Sequence, residues 1–291
     1  MFPIAYAVVE IENKETWTWF MEYLVEDLEL DHGPKYVFMS DKQKGLLDAV
    51  EQMVPGSEHR HCVRDLHNNF KKKNPGIELK NLLWAVARDT LMVWYNKHMN
   101  EMLEASSAAV KWLADHDGPE HWSRSHFTEH CKCDMLLNNT NECWNSVIAE
   151  CRDKPILVMF EWLRQNMMIR LNNRRVAGMK WKVNIGPRIQ KIIKKNSERA
   201  REYQAFRSAD FVFEIHRRGG SILQVQHSVD LAKLTCTCRM WSLSGLPCPH
   251  AITSIWVKGD DHIAYVHHYY SKQAYLDAYS YAINPVPGIE M

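Results

Sequence analysis

The spacing of apolar residues changes along this chain, and the changes mark its elements. Ile4 to Ile11 is rich in Val, Ile and Tyr and predicts a strand. Lys14 to Leu28 places Trp17, Phe20, Met21, Leu24 and Leu28 at helical spacing, which predicts an amphipathic helix with these side chains in a core. Tyr36 to Met39 predicts a short buried strand. Lys44 to Met53 predicts a helix with Leu46, Leu47, Val50 and Met53 inward, and Arg60 to Arg64 a further strand. This β-α-β-α-β order predicts a partly parallel sheet covered by helices. From Leu79 to Leu113 the pattern turns helical, and helices are predicted over Asn138 to Cys151, Ile156 to Asn173 and Ile189 to Phe206. Phe211 to Ile215 and Ile222 to Val229 then read as strands around a turn at Arg218-Gly219-Gly220-Ser221. Ala251 to Trp256 is helix-like, with Ile252, Ile255 and Trp256 on one side. The remainder from Asp261 reads as a tail rich in Tyr and His, ending in a Pro-Val-Pro-Gly turn. The class expected is α/β followed by α+β.

Length and composition narrow this further. The 291 residues suffice for two domains with their own cores. No apolar stretch approaches the length needed to cross a bilayer. Met1-Phe2-Pro3 opens without a basic start or a long apolar core, so no secretory leader is expected. Eight cysteines in that setting suggest reduced thiols and metal rather than a disulfide framework. The net charge of +1 hides a segregation: residues 1–60 carry 12 acids against 5 Lys/Arg, whereas residues 164–201 carry 12 Lys/Arg against the single acid Glu198. Arg170, Arg174, Arg175, Lys180, Lys182, Lys191, Lys194 and Lys195 are candidates to neutralise phosphates, with Trp181 placed among them to stack on a base. The same run also suits a solvated helix face balanced by the acidic N-terminal region.

The most specific pattern is Cys236-x-Cys238, nine residues, then Cys248-x-His250. Three thiolates and one imidazole complete a tetrahedral zinc shell, which holds a fold and leaves no position for water. Cys-x-Cys is too close for an easy disulfide within the pair. Ser244-Gly245-Leu246-Pro247 supplies turn chemistry to bring the second pair round. Weaker candidates lie upstream. His59, His61, Cys62, Asp65 and His67 lack regular spacing and read more readily as a strand with polar ends and a buried cysteine. His130, Cys131 and Cys133 have no second pair at suitable spacing, and Cys143 and Cys151 suit buried thiols. Asp41 follows an apolar run and precedes a helix, where a carboxylate is either a cap or a ligand for Mg2+.

The hairpin and Cys-x-Cys…Cys-x-His pattern, with CTCRMW and LPCPHA around the donors, resembles the SWIM-type zinc finger of plant Mutator-like (MuDR-type) transposases. The segments PIAYAVVEIENKETWTWFMEYL, FMSDKQKGLLDAV, EHRHCVRDLHNNFKKK and LLNNTNECWNSVI resemble blocks of the transposase domain in the same order. The resemblance implies a partial ribonuclease H-like domain with a helical insertion over residues 1–153, a basic helical connector over 154–207, a ββα SWIM module over 208–258 and a tail over 259–291. It implies Zn2+ as a structural ion, DNA as partner and a nuclear address. It also matches Asp41 and Glu142 to two of three acidic residues of a DDE site, where two metal ions serve strand transfer. The block carrying the first acidic residue has no counterpart here. The expectation is therefore a DNA-binding protein without transposase activity of its own. Two alternatives stand beside it: an active transposase if an acidic strand is supplied, and a zinc-dependent adaptor between proteins.

Overall fold

Asn13 starts the first helix: its side chain accepts from the Thr16 amide at 2.9 Å, while its own amide donates to Thr16 Oγ1 at 3.1 Å. This reciprocal cap satisfies two amides that a helix start leaves without partners. The computed structural model describes residues 2–30, 36–40, 45–220 and 226–286, without the side chains of residues 140–142. The chain divides into two units, Met1–Thr140 and Asn141–Met291.

In the first unit, α1 (Lys14–Asp27) turns Trp17, Met21 and Leu24 onto Ala49, Val50 and Met53 of α2 (Leu46–Met53). That helix is the crossover between β1 (Val37–Ser40) and β2 (Glu58–His61), which pair in parallel with Val37 opposite Glu58. The predicted strand Ile4 to Ile11 does not form: no strand is assigned there, and Ile4 and Ile11 are 63 % and 64 % exposed. Strand propensity reflects packing on a pleated surface, and this segment has neither a partner ladder nor a core face among the described residues. The strand expected at Arg60 to Arg64 lies earlier, because α3 (Val63–Lys73) already begins at Val63. There Val63, Leu66 and Phe70 follow a helical repeat and are buried. The helical stretch after it divides into α4 (Ile77–Arg88), α5 (Met92–Ala105) and α6 (Ser107–His116), packed in sequence, with α3 also against α6. Ser106 accepts from the Ala109 amide at 3.2 Å and caps α6.

Two polar features are buried beside β2. Arg60 is fully buried. It pairs with Glu58 at 2.7 Å, donates to the carbonyls of Cys133 and Thr128, and lies 3.9 Å over the Phe127 ring. His61 Nδ1 donates to the Asp117 carboxylate at 2.8 Å, and its ring stacks on His121 at 4.6 Å. His59, 5.2 Å from His61, is pushed down to a pKa of about 4 by burial first and then by the neighbouring histidines, against a weaker pull from Asp117. A neutral His59 in the fold and an ordinary one in the unfolded chain mean that the unfolded chain binds more protons below pH 6.5. Stability is therefore present at neutral pH and lost as pH falls from about 6.5 toward 4, by up to about 2 kcal/mol at pH 5. Urea midpoints across that range check this, and His59→Gln is expected to flatten the slope.

In the second unit, α7 (Asn139–Ile148) and the long α8 (Ile156–Met179) precede α9 (Pro187–Ala200). The helix predicted to reach Phe206 stops at Ala200. Tyr203–Arg207 instead forms β3, antiparallel to β4 (Val212–Arg217), with Tyr203 opposite Arg217. Pairing across the sheet outweighs the local helical pattern there. With β5 (His227–Asp230) and β6 (Thr235–Cys236) the sheet has order β3-β4-β5-β6, so the expected ββα module is a four-stranded sheet. The hairpin turn is described as far as Gly220, and the start of the predicted return strand lies outside the described residues. Phe213, Ile215 and Val229 pack against Ala251 and Ile255 of α11 (Pro249–Lys258). Trp256, expected on that inner side, is 39 % exposed. The last segment is no tail. It runs through two 3-10 turns, 262–265 and 268–270, into α12 (Lys272–Ala278), which packs on α8. Lys272 Nζ donates to the carbonyls of Met179 and Trp181 at 3.0 and 2.8 Å, tying α12 to the end of α8. Among the described residues no helix is long and apolar enough to cross a membrane.

Candidate metal centre

Cys236 ends β6, where pairing of Val229 with Cys236 points the strand into the core. The chain then hooks back: the Arg239 amide donates to the Cys236 carbonyl at 2.8 Å, which brings Cys238 beside Cys236. Helix α10 (Met240–Ser244) follows and ends at Gly245, whose φ of 71° suits glycine. From there Leu246 and Pro247 lead to Cys248, the N-cap of α11, with its sulfur accepting from the Ala251 amide at 3.4 Å. His250 lies in the first turn of the same helix. All four side chains are buried, and one donor atom from each lies within 4.8 Å of the others.

The distances suit one ion. His250 Nδ1 is 3.7 Å from Cys236 Sγ and 3.9 Å from Cys248 Sγ. Zn–S bonds of about 2.3 Å and Zn–N bonds of about 2.0 Å at the tetrahedral angle set sulfur and nitrogen about 3.5 Å apart. Electrostatics point the same way. Hydrogen bonds from Cys236 and Cys248 draw the Cys238 thiol well below its ordinary range. The bond to Cys238 raises Cys236, and burial above all raises Cys248. Without a cation, three buried thiolates side by side would repel one another. A divalent cation removes that obstacle and releases the remaining protons. Two further rings orient the imidazole: His227 stacks on His250 at 4.0 Å, and Tyr203 meets it edge-on at 4.5 Å. Neither was among the residues singled out by spacing, since both lie on other strands.

The remaining candidates fare differently. Asp41 lies outside the described residues. Glu142 lies on α7, but its side chain lies outside them too. Cys236, Cys238, Cys248 and His250 are the one donor group of metal-holding geometry among the described residues. His61 forms the buried pair with Asp117, His59 Nε2 meets Ser40 Oγ at 2.8 Å, and burial pushes the Cys62 thiol up. The Cys131–Cys133 loop is held by Arg60 through the Cys133 carbonyl. Cys151 is buried and donates to the Ile148 carbonyl, but Cys143 is exposed, contrary to the expectation of a buried thiol. Of the cations, Arg170, Arg174 and Arg175 lie on α8, Lys180 caps its C-terminus and Lys182 follows. Lys191, Lys194 and Lys195 lie on the exposed side of α9, opposite the buried Ile193, Asn196 and Ala200.

Family comparison adds two matches: residues 1–69 to the MULE transposase domain and residues 224–259 to the SWIM zinc finger. No curated protein and no solved structure matches the chain. The second match encloses all four buried donors and the first encloses β1, α2 and β2, so the chain matches, in order, a MULE transposase domain and a SWIM zinc finger, the pairing of a Mutator-like transposase.

Proposed function

We propose that this zinc-binding, transposase-derived chain binds DNA through the cationic faces of α8 and α9, with Cys236, Cys238, Cys248 and His250 holding the zinc that braces them. One observation carries the reading. The inner face of α9 is locked onto the zinc module: Asn196 Nδ2 donates to the Pro247 carbonyl at 3.0 Å, and Thr253 Oγ1 to the Ala200 carbonyl at 2.9 Å. Its outer face presents Lys191, Lys194 and Lys195, and none of these pairs with a carboxylate among the described residues. A rigid array of unpaired cations on a helix is the arrangement that displaces counterions from a phosphate backbone. A nuclear address and a ribonuclease H-like setting for the first unit belong to the same reading.

The test is a duplex titration at two salt concentrations. About six phosphate contacts predict a slope near −5 in log affinity against log salt, hence a loss of about a thousandfold between 50 and 200 mM. Joint replacement of Lys191, Lys194 and Lys195 by Gln is expected to lower that slope by about 3. Affinity indifferent to salt would remove the reading in favour of a protein adaptor. A second reading, DNA cleavage with Mg2+ drawing on Asp41 and Glu142, is favoured by the domain match across Asp41. Cleavage that survives Asp41→Ala, or no cleavage at all, excludes it.

A further inference from the structure

The C-terminal segment closes a cleft of about 600 Å³ against the end of α8 and the start of α9. The volume is that of a small-molecule site. Its walls combine two chemistries. Trp181 and Tyr275 lie ring to ring at 4.4 Å, and Tyr269 stands at the rim, 59 % exposed. Arg174 and Arg188 supply two guanidinium groups, and no carboxylate lines the cleft. The backbone is shaped to let the rings close. A Cβ on Gly186 would meet the Trp181 ring at 2.9 Å, and one on Gly178 would meet the Tyr275 ring at the same distance.

A further observation sets the polarity of the ligand. Helix α9 begins at this cleft with Gly186 as N-cap, Pro187 next, and no side chain capping the first turn. Its leading amides and the positive end of its dipole add to the two arginines. A neighbouring hollow along α8 continues the cationic lining with Arg170, whose Nε is buried without a hydrogen-bond partner among the described residues. An anion at one end and a flat apolar group at the other are the two halves of a nucleotide. A base within duplex is stacked on both faces and is not available to such a cleft, whereas an unpaired base is.

We infer that the cleft between α8, α9 and α12 takes one unpaired nucleotide of single-stranded DNA, its base stacked on Tyr269 and its phosphate held by Arg188, Arg174 and the start of α9. The inference rests on the DNA-binding reading above and adds a site that reading does not need.

The test uses the full zinc-loaded chain and two labelled probes followed by anisotropy: a deoxythymidylate oligomer of about 20 nucleotides, and a blunt duplex of the same length. Tyr269→Ala is expected to weaken the oligomer about tenfold and leave the duplex unchanged, while Tyr269→Phe retains wild-type binding. Arg188→Ala is expected to weaken the oligomer too, and gives an independent check should the tyrosine variant misfold. Oligomer affinity unchanged in both variants, or an equal loss on both probes, overturns the site. The lysine triple variant keeps the two readings apart: if it loses duplex binding while Tyr269→Ala changes nothing, only the cleft falls. If the wild-type chain binds neither probe, the DNA-binding reading falls first.

Discussion

Stripping the metal from the four-donor cluster is expected to unfold the C-terminal sheet and α11 together. Cys236, Cys238 and Cys248 are members of the same core as Phe213, Ile215, Val229 and Ile255, so the ion and the apolar core are one unit. Structural zinc in small modules contributes about 10–16 kcal/mol at neutral pH, as much as the whole stability of an ordinary domain at about 5–15 kcal/mol. The core cannot make up that loss, because removing the ion leaves three sulfurs and an imidazole buried at its centre without the cation that joined them. Cys248→Ser should act like the chelator: this side chain is fully buried, caps α11 and contributes one of the three sulfurs. Hydrogen exchange of the β4, β5 and α11 amides, read with zinc content by elemental analysis, measures the effect. Full protection in protein shown to be metal-free would sink the zinc-scaffold account.

Arg60→Ala should cost the first unit about 3–5 kcal/mol, the range seen when one partner of a buried ion pair is removed. The change leaves Glu58 without its cation, frees the Cys133 and Thr128 carbonyls, and removes the group over the Phe127 ring. Arg60→Lys should rescue little, since an ammonium cannot span a carboxylate and two carbonyls with one planar fork. Urea denaturation provides the number, and a loss under about 1 kcal/mol would show that the pair is dispensable.

These two residues sets differ in how readily the chain discloses them. The zinc donors stand within fifteen residues, Cys236 to His250, and their spacing alone states the chemistry because a short loop has few ways to present four donors. The strand β1 and the helix α2 were legible too, from local apolar spacing, whereas β2 is polar and was expected later, at Arg60 to Arg64. Arg60 gave no such signal. The two carbonyls it holds lie 68 and 73 residues away, and on the page it is one basic residue in a polar strand. His61 and Asp117, 56 residues apart, are hidden in the same way. Trp181 was visible as an aromatic among cations, but the cleft it helps to line needs Tyr269 and Tyr275 from the far end of the chain.

The misreadings share that origin. Ile4 to Ile11 has the composition of a strand and forms none, while Tyr203 to Phe206 looked helical and became most of β3. A strand exists only where a neighbour accepts its hydrogen bonds, and β4 offers that ladder to β3 while nothing described offers it to residues 4–11. Order along the chain determined the metal chemistry, the amphipathic helices and the segregation of charge, all of which depend on residues within a few turns of one another. Tertiary structure alone decided which segments became strands, which polar groups could be buried, and that the closing segment is a wall rather than a tail, because each of those outcomes needs a partner brought from a distant part of the chain.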